Sequence, residues 1–385
     1  MEEQKLNSIV NSTKPKPNIK IKICGVGGGG GNILTRMYKK KTEGVDFIAI
    51  NTDMQGLHFT KADKKVNIGL NTTKGLGAGM DPELGKKSAE ENAKEIEDIL
   101  QGADLIFITC GLGGGTGSGA APIIAQIAKK TGALTVGVVT KPFTFEGVKR
   151  KEVADIAWNK LYSHLDSLIT IENDRVWNVI EKETPILDAF KEIDEILRQG
   201  VQGIADLINY PGIVNLDFAN LRTILTNAGE SIIGIGRAKG KDRAIISAKA
   251  AISSPLLDLS IKGASRILFN ISGGNDLSLY EINEAARTIT ETANPEAKII
   301  FGTSKDNDLK EGELKIIVIA GGFDEKEVEE DGLFDRVENE LFSTPSEKKK
   351  IEISQEEEIE EEENTSEDTE EDELDIPAFL RKKRN

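Results

Sequence analysis

CGLGGGTGSG, residues 110–119, closes the apolar run DLIFITC (104–110) and leads into a stretch of helical character. Six of its ten residues are glycine. Backbone without Cβ atoms lets N–H groups approach an anion, and a helix that follows adds the positive end of its dipole. A run of the same kind, CGVGGGGGN at Cys24 to Asn32, follows IKIKIC (19–24). Read alone, that run passes for a dinucleotide fingerprint, but the acidic residue expected to hold a ribose is not clear, Asp53 being a candidate inside NTD. A dinucleotide reading also leaves the second loop unexplained. Two phosphate loops point instead to a triphosphate gripped from two sides, with Thr116 and Ser118 as added hydroxyl donors. No G-K-[ST] follows either loop, which excludes a P-loop.

Outward from these loops, short apolar strands alternate with helical stretches through residue 171, the pattern of an α/β fold with a mostly parallel sheet. The strands are expected at 19–24, 45–50, 104–110, 133–140 and 166–171, and the helices near 31–41, 82–100, 118–131 and 147–163, with Pro82 and Pro122 close to two helix starts. After Pro185, apolar residues from Ile186 through Phe190, Ile193, Leu197, Val201, Ile204 and Ile208 recur at spacings of three and four, giving one long helix. Gly200 and Gly203 inside it signal close packing or a local weakness. Pro211-Gly212 stops it, and NLDFAN (215–220) follows. A second, smaller α/β unit has strands near 231–236, 264–272, 297–303 and 314–322, with helices near 242–253 and 278–292.

The net charge of −16 is concentrated: residues 356–375 hold fourteen Asp or Glu and no Lys or Arg, leaving the rest of the chain at −2. The folded part is thus nearly neutral, and the acidic run is expected to stay disordered because it has too little to bury. It ends in DIPAFLRKKRN, an apolar and basic docking peptide. No direct nucleic-acid partner is expected, since the obvious basic cluster is this short run without an aromatic platform. No apolar run is long enough for a transmembrane segment and no leader is evident, which points to the cytoplasm. Cys24 and Cys110 sit in strand-like runs and read as buried free thiols. His58 and His164, the only histidines, have no cysteine cluster near them, so no metal site built from side chains is expected.

Glu146 and Arg150 lie just past a strand terminus, where open α/β sheets bind ligands. Phe190 and Asp194 are four apart on the long helix, hence on one face, which suits an aromatic on a base and a carboxylate accepting from guanine N–H groups. Taken by itself, Phe190 reads as a core residue, and it is the pair with Asp194 that favours a nucleotide.

GGGTGSG at 113–119, with GGGGGN at 27–32, KGLGAG (74–79), TKPFTFEG, DAFKEID, VQGIADLI, NLDFAN and the terminal DIPAFLRK, resembles the tubulin/FtsZ superfamily of GTPases, its bacterial-type FtsZ branch in particular. The resemblance covers about residues 18–323. It implies a tubulin-like two-domain architecture: a flexible extension (1–17), a GTP-binding domain (18–184), a central helix (185–210), a C-terminal activating domain (211–325) with a catalytic loop (211–221), an acidic linker (326–374) and a docking peptide (375–385). By the resemblance, Gly27, Gly28, Gly29, Gly30 and Gly31 with Gly113, Gly114, Gly115, Thr116, Gly117, Ser118 and Gly119 surround the phosphates, Ala78 and Gly79 lie near the γ-phosphate, and Glu146 and Arg150 meet the ribose. Asn32, Asn173, Phe190 and Asp194 surround the guanine. The implied cofactors are GTP or GDP and Mg2+. The implied assembly is a head-to-tail homopolymer at the mid-cell division ring, on the inner face of the membrane. Its docking peptide binds membrane-tethering adaptors and division regulators. The loop bearing Asn215, Asp217 and Asn220 is implied to enter the next subunit's pocket and activate hydrolysis. The family pattern N-x-D-x-x-D is broken here, since Asn220 replaces the second acid. An amide carries no charge and is no base, so slowed hydrolysis is expected, the alternative being a filament or scaffold with negligible turnover.

Overall fold

The computed structural model describes residues 19–40, 44–178, 180, 183–209, 214, 216–253, 261–274, 276–305 and 309–323. The expected N-terminal extension, acidic linker and docking peptide lie outside these residues, as do Asn215 and the Pro211-Gly212 stop.

Ten strands form one sheet in the order β3-β2-β1-β4-β5-β6-β7-β10-β8-β9. They are β1 (Ile21–Val26), β2 (Val45–Asn51), β3 (Lys64–Asn67), β4 (Leu105–Gly111), β5 (Leu134–Lys141), β6 (Ser167–Glu172), β7 (Gly229–Lys239), β8 (Ala264–Gly273), β9 (Lys298–Lys305) and β10 (Glu313–Phe323). From β3 to β7 every pairing is parallel; β10 runs antiparallel to both β7 and β8, and β9 pairs parallel with β8. Strands β1 and β4 are buried nearly throughout, as parallel strands covered on both faces must be. The short strand KKVN at β3 was not legible in the sequence: two lysines leave Val66 as its one buried residue, too little for a period-2 signal.

The helices are α1 (Gly27–Met37), α2 (Met54–Phe59), α3 (Leu70–Thr73), α4 (Pro82–Glu91), α5 (Ala93–Leu100), α6 (Gly115–Lys130), α7 (Val148–His164), α8 (Ile186–Asn209), α9 (Phe218–Leu225), α10 (Arg243–Ile252) and α11 (Leu279–Thr290). Three differ from expectation. The single helix expected at 82–100 breaks at Asn92, whose side chain instead accepts the Gly69 N–H. Helices α1 and α6 begin inside the glycine runs rather than after them, so Pro122 falls within α6 instead of at its start. Glycine propensity argues against such starts, but tertiary packing demands them: a Cβ on Gly30 would lie 2.5 Å from the Thr109 carbonyl oxygen, a contact only glycine permits.

Helix α8 packs across both halves of the sheet. Its Ile193, Leu197, Val201 and Ile204 share one core with Val136, Val138 and Ile169 on one side and with Ile233 and Ile317 on the other. The glycines resolve as close packing: a Cβ on Gly203 would lie 2.8 Å from the tip of Ile317. On the opposite face, α5, α6 and α7 cover a second core, and α10 and α11 a third over β7, β8 and β10.

Candidate nucleotide site

The sheet reverses its winding at β1 and β4, with the chain proceeding outward to β2 and β3 on one side and to β5 and β6 on the other. Ligands of open α/β sheets sit at the carboxyl ends of strands flanking such a switch point. Both glycine runs lie there, because α1 leaves β1 directly and α6 starts four residues past the end of β4. The N-caps of these helices, Val26 and Gly114, carry no side-chain cap hydrogen bond, leaving first-turn N–H groups for an external acceptor. Gly28, Gly79 and Gly114 look onto open space, with no atom within 4 Å of where a Cβ would stand.

The other glycines of the signature do different work. Gly113 adopts φ 93°, a left-handed conformation that L side chains disfavour, and its N–H donates to the buried Ser118 Oγ at 2.8 Å. Ser118 therefore shapes the loop from within and does not offer its hydroxyl outward as expected. Gly115, Gly117 and Gly119 are buried, and Gly119 meets the backbone of α4. The Thr116 hydroxyl sits 2.7 Å from that of Thr52. Gly27 approaches Thr116 and Gly117, so the two loops adjoin, and buried Ala78 reaches the N-terminus of α6 beside Gly115. The Asp53 carboxylate caps α2, accepting the Gln55 N–H at 2.9 Å.

A ring of side chains closes around this floor. Arg150 packs on Gly113 and pairs with Glu146 at 2.9 Å, while the other Glu146 oxygen accepts the Phe143 N–H at 2.9 Å. Phe143 meets the Phe190 ring edge-to-face at 5.5 Å and stacks on Phe145 at 4.9 Å. Phe190 is 37% exposed, so it is not a core residue. One turn along α8, Asp194 pairs with Arg36 at 2.9 Å, and Arg36 is one turn along α1 from the exposed Asn32. Burial pushes the Asp194 carboxyl up to about 6 against the pull of Arg36. Asn173 follows β6 directly, beside Asp174, which accepts the Thr144 N–H and hydroxyl.

Two buried polar atoms in this ring, Arg150 Nε and Asn173 Oδ1, have no hydrogen-bond partner. Unpaired buried groups of this kind call for a ligand. Together with the open backbone at Gly28, Gly79 and Gly114, they make the pocket fit a nucleotide. For a metal the fit is different: among the described residues no group of three or more His, Cys, Asp or Glu gathers. Magnesium would have to be held by phosphate oxygens and water. Both cysteines are buried thiols, pushed up to about 12 by burial, and take no part.

Asp217 and Asn220 lie elsewhere. Asp217 is the N-cap of α9, accepting the Asn220 N–H at 2.7 Å, so NLDFAN is a loop only to its midpoint. Helix α9 packs against β5, β8 and β10, and its Arg222 donates to the Gly132 carbonyl just before β5. That is the amino end of the parallel strands. The glycine loops lie at their carboxyl ends, a strand length of about 20 Å away. Sequence reasoning missed Arg36 and Phe143. Arg36 had a signal in its i+4 spacing from Asn32, whereas nothing local announces that Phe143 meets Phe190.

Residues 20–181 match the Tubulin/FtsZ family GTPase domain, and residues 229–324 the FtsZ family C-terminal domain. An FtsZ dimer from M. jannaschii superposes with a TM-score of 0.75 at 41% identity, covering 83% of this chain and 92% of its own. The chain belongs to the FtsZ family. CetZ2 from Haloferax volcanii, a GTPγS-bound protofilament, has a TM-score of 0.69 at 21% identity, covering 84% of this chain and 98% of its own. CetZ1 from Haloferax volcanii, a GDP-bound monomer, has 0.67 at 22%, covering 79% and 94%. At those identities the likeness is one of fold. FtsZ-family membership makes this a tubulin-like GTPase domain joined to an FtsZ C-terminal domain, in a filament-forming family. Among its described residues no helix is long and apolar enough to cross a membrane.

Proposed function

We propose that this FtsZ-family chain binds GTP in the switch-point pocket and hydrolyses it between subunits of a head-to-tail filament. The carrying observation is the placement of Asp217 at the opposite end of the sheet from the glycine loops, so that it cannot serve its own pocket. Exposed Asp217 on one subunit and an open pocket on the next form a heterologous contact, which propagates into a filament. The M. jannaschii FtsZ dimer and the CetZ2 protofilament support assembly of this kind. Bound GTP with magnesium supplies the transferable phosphoryl group. The uncapped N-termini of α1 and α6 receive its negative charge, Glu146 and Arg150 receive the ribose, and Asn32, Asn173, Phe190 and Asp194 the guanine. Asp217 orients the attacking water, and Asn220, an uncharged neighbour in the first turn of α9, adds a hydrogen bond but no charge. Turnover is therefore slow.

The expected setting is the cytoplasmic face of the division ring, with residues 375–385 docking on adaptors and regulators. The described domains are assigned as 18–184 for GTP binding, 185–210 for the central helix and 211–325 for activation. Phosphate release from GTP with magnesium, followed across protein concentration, tests the reading. Release that appears above a threshold concentration supports it, and release proportional to protein at every concentration refutes it. Asn220 favours a second reading, a GTP-holding filament without turnover, which no release from assembled, GTP-loaded protein would establish.

A further inference from the structure

We infer that Thr303 and Gly302, on the edge strand β9, are positioning residues for Asp217. The inference rests on the reading that Asp217 acts in a neighbouring subunit's pocket. In the sheet order β9 is outermost, so only one of its edges is paired, to β8. The other edge takes the segment that leads into Asp217. The Thr303 N–H donates to the Val214 carbonyl at 3.0 Å, and the Val214 N–H donates to Thr303 Oγ1 at 3.0 Å. Buried Thr303 thereby satisfies both backbone groups of Val214 across 89 residues of sequence. Leu216 lies over Gly302, where a Cβ would come within 2.4 Å of its Cγ and 2.6 Å of its Cδ1. Leu216 also packs against the core beneath α8 and α9.

Asp217 is thus held on two sides, by its cap to the Asn220 N–H and by the segment pinned to β9. A group presented to another subunit has no pocket of its own to fix its position, so its supporting shell must do so. The geometry ties this shell to the C-terminal half of the sheet, far in sequence from the residue it aims. Replacing Thr303 by valine keeps the shape but removes the acceptor, leaving the Val214 N–H unpaired. The segment must then shift to find another partner, and misplacement by about 1 Å near reacting groups lowers rates by orders of magnitude.

The test uses the full chain above its assembly threshold at saturating GTP. It measures phosphate release per sedimented subunit, and GTP affinity of the unassembled chain, for T303V, T303S, G302A and D217A. T303V and G302A should lose about tenfold in turnover while GTP affinity stays within about twofold, and T303S, which restores the acceptor, should recover to within about twofold of wild type. Should T303V fail to fold, G302A carries the comparison. Unchanged turnover in T303V and G302A beside an inactive D217A overturns the inference and leaves the interface reading standing. Turnover and affinity that fall together in both variants also overturn it, since a general fold defect then explains the loss. Wild-type turnover in D217A overturns the interface reading and this inference with it.

Discussion

One methyl group placed at either of two glycines in GGGTGSG separates folding from ligand binding within a single motif. A Cβ on Gly119 would stand 1.9 Å from the Pro82 carbonyl oxygen and 2.6 Å from the Lys86 nitrogen. Both are backbone atoms of α4, so no side chain can swing aside, and α4 and α6 must part by more than an ångström to restore ordinary contact. Overpacking of this kind costs about 1–3 kcal/mol, and a backbone clash belongs at the upper end. For a folded part of this size each kcal/mol lowers Tm by about 1–2 °C, so Gly119→Ala is expected to melt roughly 3–6 °C below wild type. Gly114→Ala meets no atom within 4 Å and has φ −97°, a conformation alanine accepts. Its Tm should stay within about 2 °C of wild type, because substitutions that clash with nothing stay within about half a kcal/mol. The added methyl projects from the N-cap of α6, however, where the phosphate is expected. GTP affinity should therefore fall by about tenfold or more, since backbone N–H groups bind an anion only at close approach. Calorimetry of the nucleotide-free chain and titration with GTP read the two effects separately. A Gly119→Ala chain with wild-type Tm, or a Gly114→Ala chain with wild-type GTP affinity, would refute the division of labour among these glycines.

Three further outcomes are expected. Protonating Asp194, whose carboxyl is pushed up to about 6, removes the acceptor for guanine N–H groups, so GTP affinity should hold above pH 7 and weaken about tenfold by pH 5; the same raised carboxyl makes the nucleotide-free chain relatively more stable below its ordinary carboxylate range, an advantage lost as pH rises through 6, and a flat affinity profile in Asp194→Asn checks the assignment. Asn220→Asp should raise the GTPase rate well beyond twofold by restoring a charged neighbour to Asp217, as read by phosphate release at fixed polymer mass, with an unchanged rate counting against a role for that position. Arg243, 5% exposed, donates to Glu281 and Asp276 at 2.6 Å each, so Arg243→Met should destabilise by about 2–3 kcal/mol in chemical denaturation. Hydrogen bonding to Arg243 holds Glu281 down at about 2. In the wild type that stability is present above the ordinary Glu range and lost as pH falls toward 2, and the loss should be shallower in Arg243→Met.

The glycine runs, the long amphipathic helix and the strands β1, β2, β4, β5 and β6 were legible because their signals are local: apolar runs bounded by turns, and apolar positions three and four apart. Helix α9 was not, since its first turn is the polar stretch that reads as a loop, and only the Asp217 cap shows where the helix begins. The early starts of α1 and α6 were hidden for the opposite reason. Five consecutive glycines oppose a helix by propensity, and what overrides it is the approach of Gly30 to β4, a contact 79 residues away in sequence.

Among the candidate site residues, Phe190 and Asp194 could be paired from the sequence because they are four apart on one helix, whereas Glu146 and Arg150 stood out only by their place past a strand end, since Glu146 precedes α7 and Gly147, at φ 101°, separates the two. Their roles depended on partners that no spacing reveals: Phe143 against Phe190, Arg36 against Asp194, Ser118 turned inward to Gly113. The sequence by itself determined two glycine-dense loops, each following a strand, and a carboxylate segment set apart from them. Only the tertiary structure decided where these stand, the loops at the carboxyl ends of β1 and β4 and Asp217 at the amino ends of the same parallel strands. The physical reason is that all parallel strands point one way, so residues that leave and residues that enter them are kept a strand length apart.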